Sequence, residues 1–283
     1  VEVRILQGGV GLRYMSANPR SFFFCILTSE FCNFATMPVH EAEAIVLRQY
    51  SLSDSDRIVV FITREYGKVR AVAKGVKKPK SRIAGCLEPL NHIRLAFFVR
   101  EGRELHQVNN AELIHAFLGK NTSVDRLYAF SYFAEIASEL VQENQPNPAL
   151  FRLLLASVET GEKITALRSL VRYYEVWSLK LSGLLPNYAY CSNCGKCVKD
   201  EGFFAWPESG QVRCYACGQG RGIRVGAEAA SALDAMIRQS PRQFVDQPLA
   251  HNATIEIERL SQRLLGLHLE RELKSFRILK EAL

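Results

Sequence analysis

The stretch Lys68-Val-Arg-Ala-Val-Ala-Lys74 alternates with a period of two. Successive side chains of an extended strand point to opposite faces, so Val69, Ala71 and Ala73 share one face and Lys68, Arg70 and Lys74 the other. Four more short runs of strand character surround it: Ala44 to Leu47, Ile58 to Thr63, Ile93 to Arg100 and Leu105 to Val108, separated by Ser/Asp, Gly and Pro. Five strands in about 75 residues is the size of a small closed barrel such as an OB-fold, where closure removes the edges that would otherwise pair with other chains.

Beyond Asn121 the period becomes helical. Thr122-x-x-Asp125 has the form of a capping box, and Leu127, Phe130, Ala134, Ala137 and Val141 follow on one face. Leu150 to Val158 predicts a second helix. A third is expected over Thr165 to Leu185, burying Leu167, Leu170, Val171, Tyr174 and Leu181 and turning Arg168, Arg172 and Glu175 outward. Further helices are expected over Ala227 to Gln239 and from Thr254 nearly to the end. The expected organisation is an α+β multidomain chain: a poorly ordered N-terminal extension over 1–36, a barrel over 37–118, a helical domain in two parts over 119–187 and 225–283, and a cysteine-bearing insertion over 188–224.

Hydrophobic residues make up 48% of the 283 and charged residues 23%, the balance of a folded globular protein. The formal charge of +7 is concentrated: Arg64 to Arg82 holds eight basic residues against one acid, Glu65, which leaves the rest of the chain formally neutral. A concentrated positive field favours a polyanionic partner. No apolar run of the length of a membrane-spanning helix occurs, and a cytoplasmic, nucleoid-associated location is expected.

Two CxxC pairs, Cys191-Ser-Asn-Cys194 and Cys214-Tyr-Ala-Cys217, are separated by 19 residues. Two-residue spacing lets adjacent thiolates reach one ion, and four of them close a tetrahedral shell with no position left for water. This predicts one structural zinc ion, with an iron–sulfur centre or a redox pair as the alternatives and Cys197 as a nearby thiol that could substitute, in a ribbon whose strands are Phe203 to Trp206 and Val212 to Cys214. Gly195 and Gly218 follow their pairs, where a residue tolerant of positive φ suits a tight knuckle. Lys196, Lys199, Arg213, Arg221 and Arg224 could add nucleic-acid contacts, but a stabilising role for the metal is the preferred reading.

On the barrel, Ile93, Leu95, Phe97 and Val99 are expected inward and Arg94, Phe98 and Arg100 outward. Together with Lys68, Arg70, Lys74 and the loop Lys77, Lys78, Lys80 and Arg82 they would form a track in which cations follow phosphates and a ring stacks on bases.

At this point a family resemblance is carried by Ala44-Ile-Val-Leu-Arg48, by Tyr50-Ser-Leu-Ser-Asp-Ser-Asp-Arg-Ile-Val59 and by Phe61 through Gly75, which resemble the N-terminal OB domain of the RecO recombination-mediator family. Lys80-Ser-Arg82, Leu105 to Leu113, the cysteine segment opening at Tyr190 and Leu273-Lys-Ser-Phe-Arg277 resemble successive segments of the same family. The resemblance spans Met37 to Leu283. It implies binding of single- and double-stranded DNA, annealing of complementary strands, action with RecR and the single-stranded-DNA-binding protein, and help in loading RecA. Two departures stand out: residues 1–36 have no counterpart, and the cysteines are not present in every member.

Walker A, HExxH and GxSxG patterns are absent, and Asp54 and Asp56 read as turn residues rather than Mg²⁺ ligands, so a non-enzymatic binder is expected. A nuclease and a zinc-ribbon RNA-binding or transcription-associated module are the other readings. Arg168 and Arg172, one helical turn apart, would suit the acidic C-terminal tail of the single-stranded-DNA-binding protein.

Overall fold

The computed structural model describes residues 38–282 except 100, 101, 103, 166 and 248. The expectation for residues 1–36 therefore lies outside the described residues, as does Arg100.

The strands β1 (Val39–Ser51), β2 (Arg57–Thr63), β3 (Gly67–Ala73), β4 (Asn91–Phe98) and β5 (His106–Ala116) close into a barrel in the order β1-β2-β3-β5-β4. β3 and β5 pair in parallel and every other neighbour is antiparallel. β1 serves two partners, β4 along its first half and β2 along its second, with the register shifting between Val46 and Arg48. That irregularity bends the strand enough to close the sheet. The interior is filled by the expected face of β3 (Val69, Ala71, Ala73) with Val46, Val59, Phe61, Ile93, Leu95 and Phe97.

β1 and β2 depart from simple alternation. Ile45, Leu47, Val60 and Ile62 point away from the barrel interior and are buried in a second core with the helices. An unbroken apolar run is what a strand covered on both faces requires.

The helices α1 (Val124–Leu140) and α2 (Pro148–Lys163) pack on this face, and α3 (Leu167–Leu181) packs against both of them. The expected capping box does not form: α1 starts after Ser123 without a side-chain cap, and Thr122 Oγ1 instead accepts from the Gly119 N–H. The loop after α1 is stitched to the barrel. Lys68 N donates to Gln142 O and Asn144 N to Lys68 O, each at 3.1 Å. Gly67 makes this approach possible, because it sits at φ +69° and a Cβ there would lie 1.8 Å from Gln145 O.

Between α3 and α5 (Ala227–Arg238) lies a three-stranded sheet of β6 (Gly202–Trp206), β7 (Gln211–Arg213) and β8 (Ile223–Gly226), ordered β7-β6-β8, with the short helix α4 (Tyr215–Gly218) between β7 and β8. Its inner residues Phe203, Ala205, Val212 and Val225 share the helical core with Leu233 and Met236. The short helix α6 (Pro241–Val245) follows. The single C-terminal helix expected from the periodicity is two, α7 (His251–Leu269) and α8 (Lys274–Ala282). Glu270, at φ +53°, ends α7 in the left-handed conformation, and buried Leu273 leads α8 back toward α1.

Candidate nucleic-acid interface and metal centre

The outward residues of β3 do not share one environment. Lys68 Nζ donates to Ser138 O at 3.0 Å, at the end of α1, and Arg70 lies between Glu104 and Glu143 at 3.6 and 3.7 Å. Both face the seam with the helices. The single exposed track expected from Lys68, Arg70 and Lys74 is thus divided, because alternation places a side chain outside the barrel but does not say what else packs there. Arg94 is also set apart. It is exposed, flanked across the strands by Glu43 and Glu112, and ion-paired with Glu112 at 3.5 Å.

What remains together is the segment after β3. Lys74, Lys78, Lys80 and Arg82 are exposed and pair with no acid among the described residues. The turn between β1 and β2 holds this loop in place. Gly75 N donates to Asp56 Oδ1 at 2.8 Å, Lys77 N donates to Ser55 O at 3.0 Å, and Lys77 Nζ reaches Ser51 Oγ and Ser53 O. The Gly75 N–H bond in particular holds the Asp56 carboxyl below the ordinary carboxylate range. Asp56 thus caps the distant Gly75 rather than its own turn; the expected cap on that turn's own backbone comes from Ser53 Oγ, which accepts from the Ser55 and Asp56 N–H groups at 3.4 and 3.1 Å.

Beside that loop a row of side chains runs around the outside of the barrel. Tyr50 pairs with Ile58, Ile58 with Val72, Val72 with Gln107, Gln107 with Phe98, and Phe98 with Val39. Tyr50 is 48% exposed, while Ile58, Val72 and Phe98 are half-buried and belong to neither core. Rings and apolar side chains presented to solvent next to unpaired cations are the ingredients of a single-strand platform, since bases stack on the former and phosphates follow the latter. Sequence alternation places Phe98 outward, and Val72 shares the outer face of β3 with Lys68, Arg70 and Lys74. The signal for the others is cross-strand register, which sequence alone does not supply.

At the metal centre the sulfur atoms of Cys191, Cys194, Cys214 and Cys217 lie within 4.8 Å of one another, so the cluster could hold a metal ion and fits a zinc ribbon. Two backbone knuckles present them: Gly195 N donates to Cys191 O at 2.9 Å and Gly218 N to Cys214 O at 2.8 Å. Gly195 has the expected positive φ of 72°, but Gly218 does not. Its requirement is space, since a Cβ there would meet the Phe204 ring at 2.6 Å. Burial pushes the Cys191 thiol up, yet backbone hydrogen bonds from Cys194, Cys214 and Asn193 outweigh it and hold the thiol down at about 6. The Lys196 backbone N–H favours the Cys194 thiolate, but the sulfurs of Cys191 and Cys217 oppose it and leave the thiol at about 11. Four crowded thiols cannot all ionise without a cation among them, which is what a metal supplies. Cys197 is exposed and stands outside the cluster.

Residues 37–117 match the family model described as "Recombination protein O N terminal", and residues 121–277 match "Recombination protein O C terminal". The chain belongs to the RecO family. The first match spans the barrel, and the second spans the helices from α1 into α8 together with the cysteine sheet. Similar proteins include "DNA repair protein RecO" of a Nocardioides species, 35% identical over 84% of this chain and 97% of that protein. That of Bifidobacterium adolescentis is 32% identical over 86% of this chain and 100% of the relative. That of Koribacter versatilis is 31% identical over 82% and 95%. No helix among the described residues is long and apolar enough to cross a membrane.

The last candidate pair in this RecO-family chain needs correction. Arg168 is exposed on α3, but Arg172 is 3% and Glu175 0% exposed, so they do not form an outward face. Glu175 accepts from Tyr132 at 2.7 Å, Arg172 at 2.9 Å, Ser261 at 2.6 Å and Gln262 at 2.7 Å, a polar network joining α1, α3 and α7. Burial raises its carboxyl and the Arg172 guanidinium pulls it back, with burial the larger effect. A helix covered by α1, α7 and α6 on several sides can bury charge that an amphipathic pattern assigns to solvent when that charge is ion-paired, as Arg172 is with Glu175 and Glu258, although its Nη1 makes no hydrogen bond. Arg168 and Arg172 nevertheless meet at one place, a groove of about 220 Å³ between α3, α7 and α8 whose walls include Val171, Ile255, Phe276 and Leu279.

Proposed function

We propose that this RecO-family protein is a recombination mediator that works by binding rather than by catalysis. In this reading it holds single-stranded and double-stranded DNA on the barrel, anneals complementary strands, and acts with RecR and the single-stranded-DNA-binding protein to help load RecA in the cytoplasm. The observation that carries the DNA-binding part is the junction of the unpaired cations Lys74, Lys78, Lys80 and Arg82 with the exposed row of Tyr50, Ile58, Val72 and Phe98. Phosphates would lie along the loop and bases against the row, while Lys68 stays hydrogen-bonded to Ser138 O and Arg70 and Arg94 stay ion-paired with Glu143 and Glu112.

The metal is proposed to be a single structural Zn²⁺ held by Cys191, Cys194, Cys214 and Cys217, a sulfur set whose geometry suits that ion. It would tie the ribbon's strands together and so support the hydrophobic residues they lend to the helical core. The groove of Arg168 and Arg172 is proposed to receive the acidic C-terminal tail of the single-stranded-DNA-binding protein, with carboxylates on the basic rim and an apolar side chain between Ile255 and Phe276.

Annealing of complementary oligonucleotides without ATP or Mg²⁺ tests the main proposal. Wild type should accelerate it, and a variant with Lys74, Lys78, Lys80 and Arg82 all replaced by Ala should lose most of that acceleration while keeping its thermal unfolding profile. Equal annealing by the two proteins would remove the barrel from the mechanism.

A further inference from the structure

The groove between α3, α7 and α8 is lined by Arg168, Arg172 and Lys280 and carries one acid, Glu258, among them. At its base the Arg172 guanidinium places Nη2 2.9 Å from Glu175 Oε1 and Nη1 2.7 Å from Glu258 Oε2. The two acids differ in kind. Glu175 is fully buried and has donors from three other side chains, so it belongs to the interior. The Glu258 side chain is 31% exposed, lines the groove, and has Arg172 as its ion-pair partner among the described residues. One guanidinium thus serves two carboxylates: Nη2 is hydrogen-bonded to Glu175, whereas Nη1 makes no hydrogen bond and meets Glu258 as an ion pair, so Arg172 keeps Glu175 if Glu258 leaves and its buried Nη1 then awaits another carboxylate.

We propose that Glu258 is a resident carboxylate that holds the place of an incoming one. An acidic peptide would bind by taking over Nη1 of Arg172 as Glu258 turns toward solvent. A ligand with a single carboxylate would gain little from such an exchange, because it replaces an equivalent bond and meets a displaced like charge nearby. A peptide with further acids for Arg168 and Lys280, and an apolar side chain for Ile255 and Phe276, makes contacts that Glu258 does not. Glu258 would therefore act as a specificity residue that rejects small carboxylates and admits polyacidic amphipathic tails. The inference rests on the tail-binding reading given above.

The test is fluorescence anisotropy on the full chain with a labelled peptide of several aspartates ending in Phe, made once with a free terminal carboxylate and once amidated. Glu258→Gln and Glu258→Ala should each bind the free-carboxylate peptide roughly 3- to 10-fold tighter than wild type, by relief of a like-charge contact. The amidated peptide should change by less than about twofold. Acetate should also become a measurable competitor in the variants. Weaker binding by the isosteric Gln variant, with unchanged thermal unfolding, would make Glu258 a mere support for Arg172 and overturn the proposal. Equal gains for both peptides would overturn it too, by reducing the effect to general electrostatics. Absence of binding in wild type and variants alike would instead sink the tail reading, and this proposal with it.

Discussion

Two regions of this chain are rich in lysine and arginine, the loop after β3 and the cysteine sheet, and they use that charge in opposite ways. In the loop, Lys74, Lys78, Lys80 and Arg82 stand exposed and form no ion pair with a described acid, although Asp56 lies near enough to feel the charge of Lys74. In the cysteine sheet, Lys196 pairs with Glu201 at 2.7 Å, Lys199 with Asp234 at 3.4 Å and Arg224 with Glu256 at 3.0 Å. Arg213 lies over the Trp206 ring at 4.9 Å and donates to Gln211, which leaves Arg221 as the exposed member of that set without a described acid. The lesson concerns availability. A cation already matched with a carboxylate must give up that partner before it can bind a phosphate, whereas an unmatched one releases only solvent and counterions.

The comparison can be broken most forcefully at the metal. Stripping the proposed ion with a chelator should cost several kcal/mol of stability, because the sheet and part of the helical core depend on the knuckles. Calorimetry should show this as a lowered unfolding temperature or a separate early transition. Measured below that transition, affinity for a single-stranded oligonucleotide should stay within about twofold, since the proposed binding surface lies on the barrel. A collapse of DNA affinity at a temperature where the barrel remains folded would place the metal in the interface.

Next in size is the loop. Replacing Lys74, Lys78, Lys80 and Arg82 together by Ala should weaken single-strand binding by roughly 100-fold at moderate salt, and should flatten the slope of log affinity against log salt by about 3. An unchanged slope in a salt titration would mean that these side chains do not touch phosphate. The aromatic row is expected to matter less. Tyr50→Ala and Phe98→Ala should each cost about 1 to 2 kcal/mol, or roughly 5- to 30-fold, with the salt slope preserved because stacking releases no counterions. Anisotropy at two ionic strengths separates the two effects.

The smallest change is expected in the cysteine sheet. Ala at Lys196, Lys199 and Arg224 together should alter DNA affinity by less than about twofold and stability by less than about 1 kcal/mol, as for exposed ion pairs generally. A loss comparable with that of the loop variant would erase the distinction between the two regions and restore the ribbon as a second nucleic-acid surface.

Much of the architecture is legible in the sequence because it depends on local period. The alternation of Lys68 to Lys74 marks β3, the paired CxxC motifs mark the cluster of four cysteines, and the helical periods of α1, α2, α3 and α5 are visible in their apolar spacing. Boundaries are less so. β1 and β5 extend well past the runs that identify them, since pairing with two neighbours keeps a strand extended where its own composition is polar. The break at Glu270 carries no Gly or Pro to announce it, and the conformation there is imposed by the docking of Leu273 and α8.

The candidate sites divide along the same line. That positive charge concentrates between Arg64 and Arg82, and that four cysteines can gather around one ion, follow from the order of residues alone, because charge is additive and CxxC geometry is local. Which cations stay available follows only from tertiary structure. The helices that cover Val60 and Ile62 also bring Ser138 and Glu143 to Lys68 and Arg70, leaving Lys74 and the loop beyond it open beside Tyr50. The same packing buries Arg172 beneath Glu258. A residue's charge is its own, but its partners come from segments far away in the chain, and only the fold brings them together.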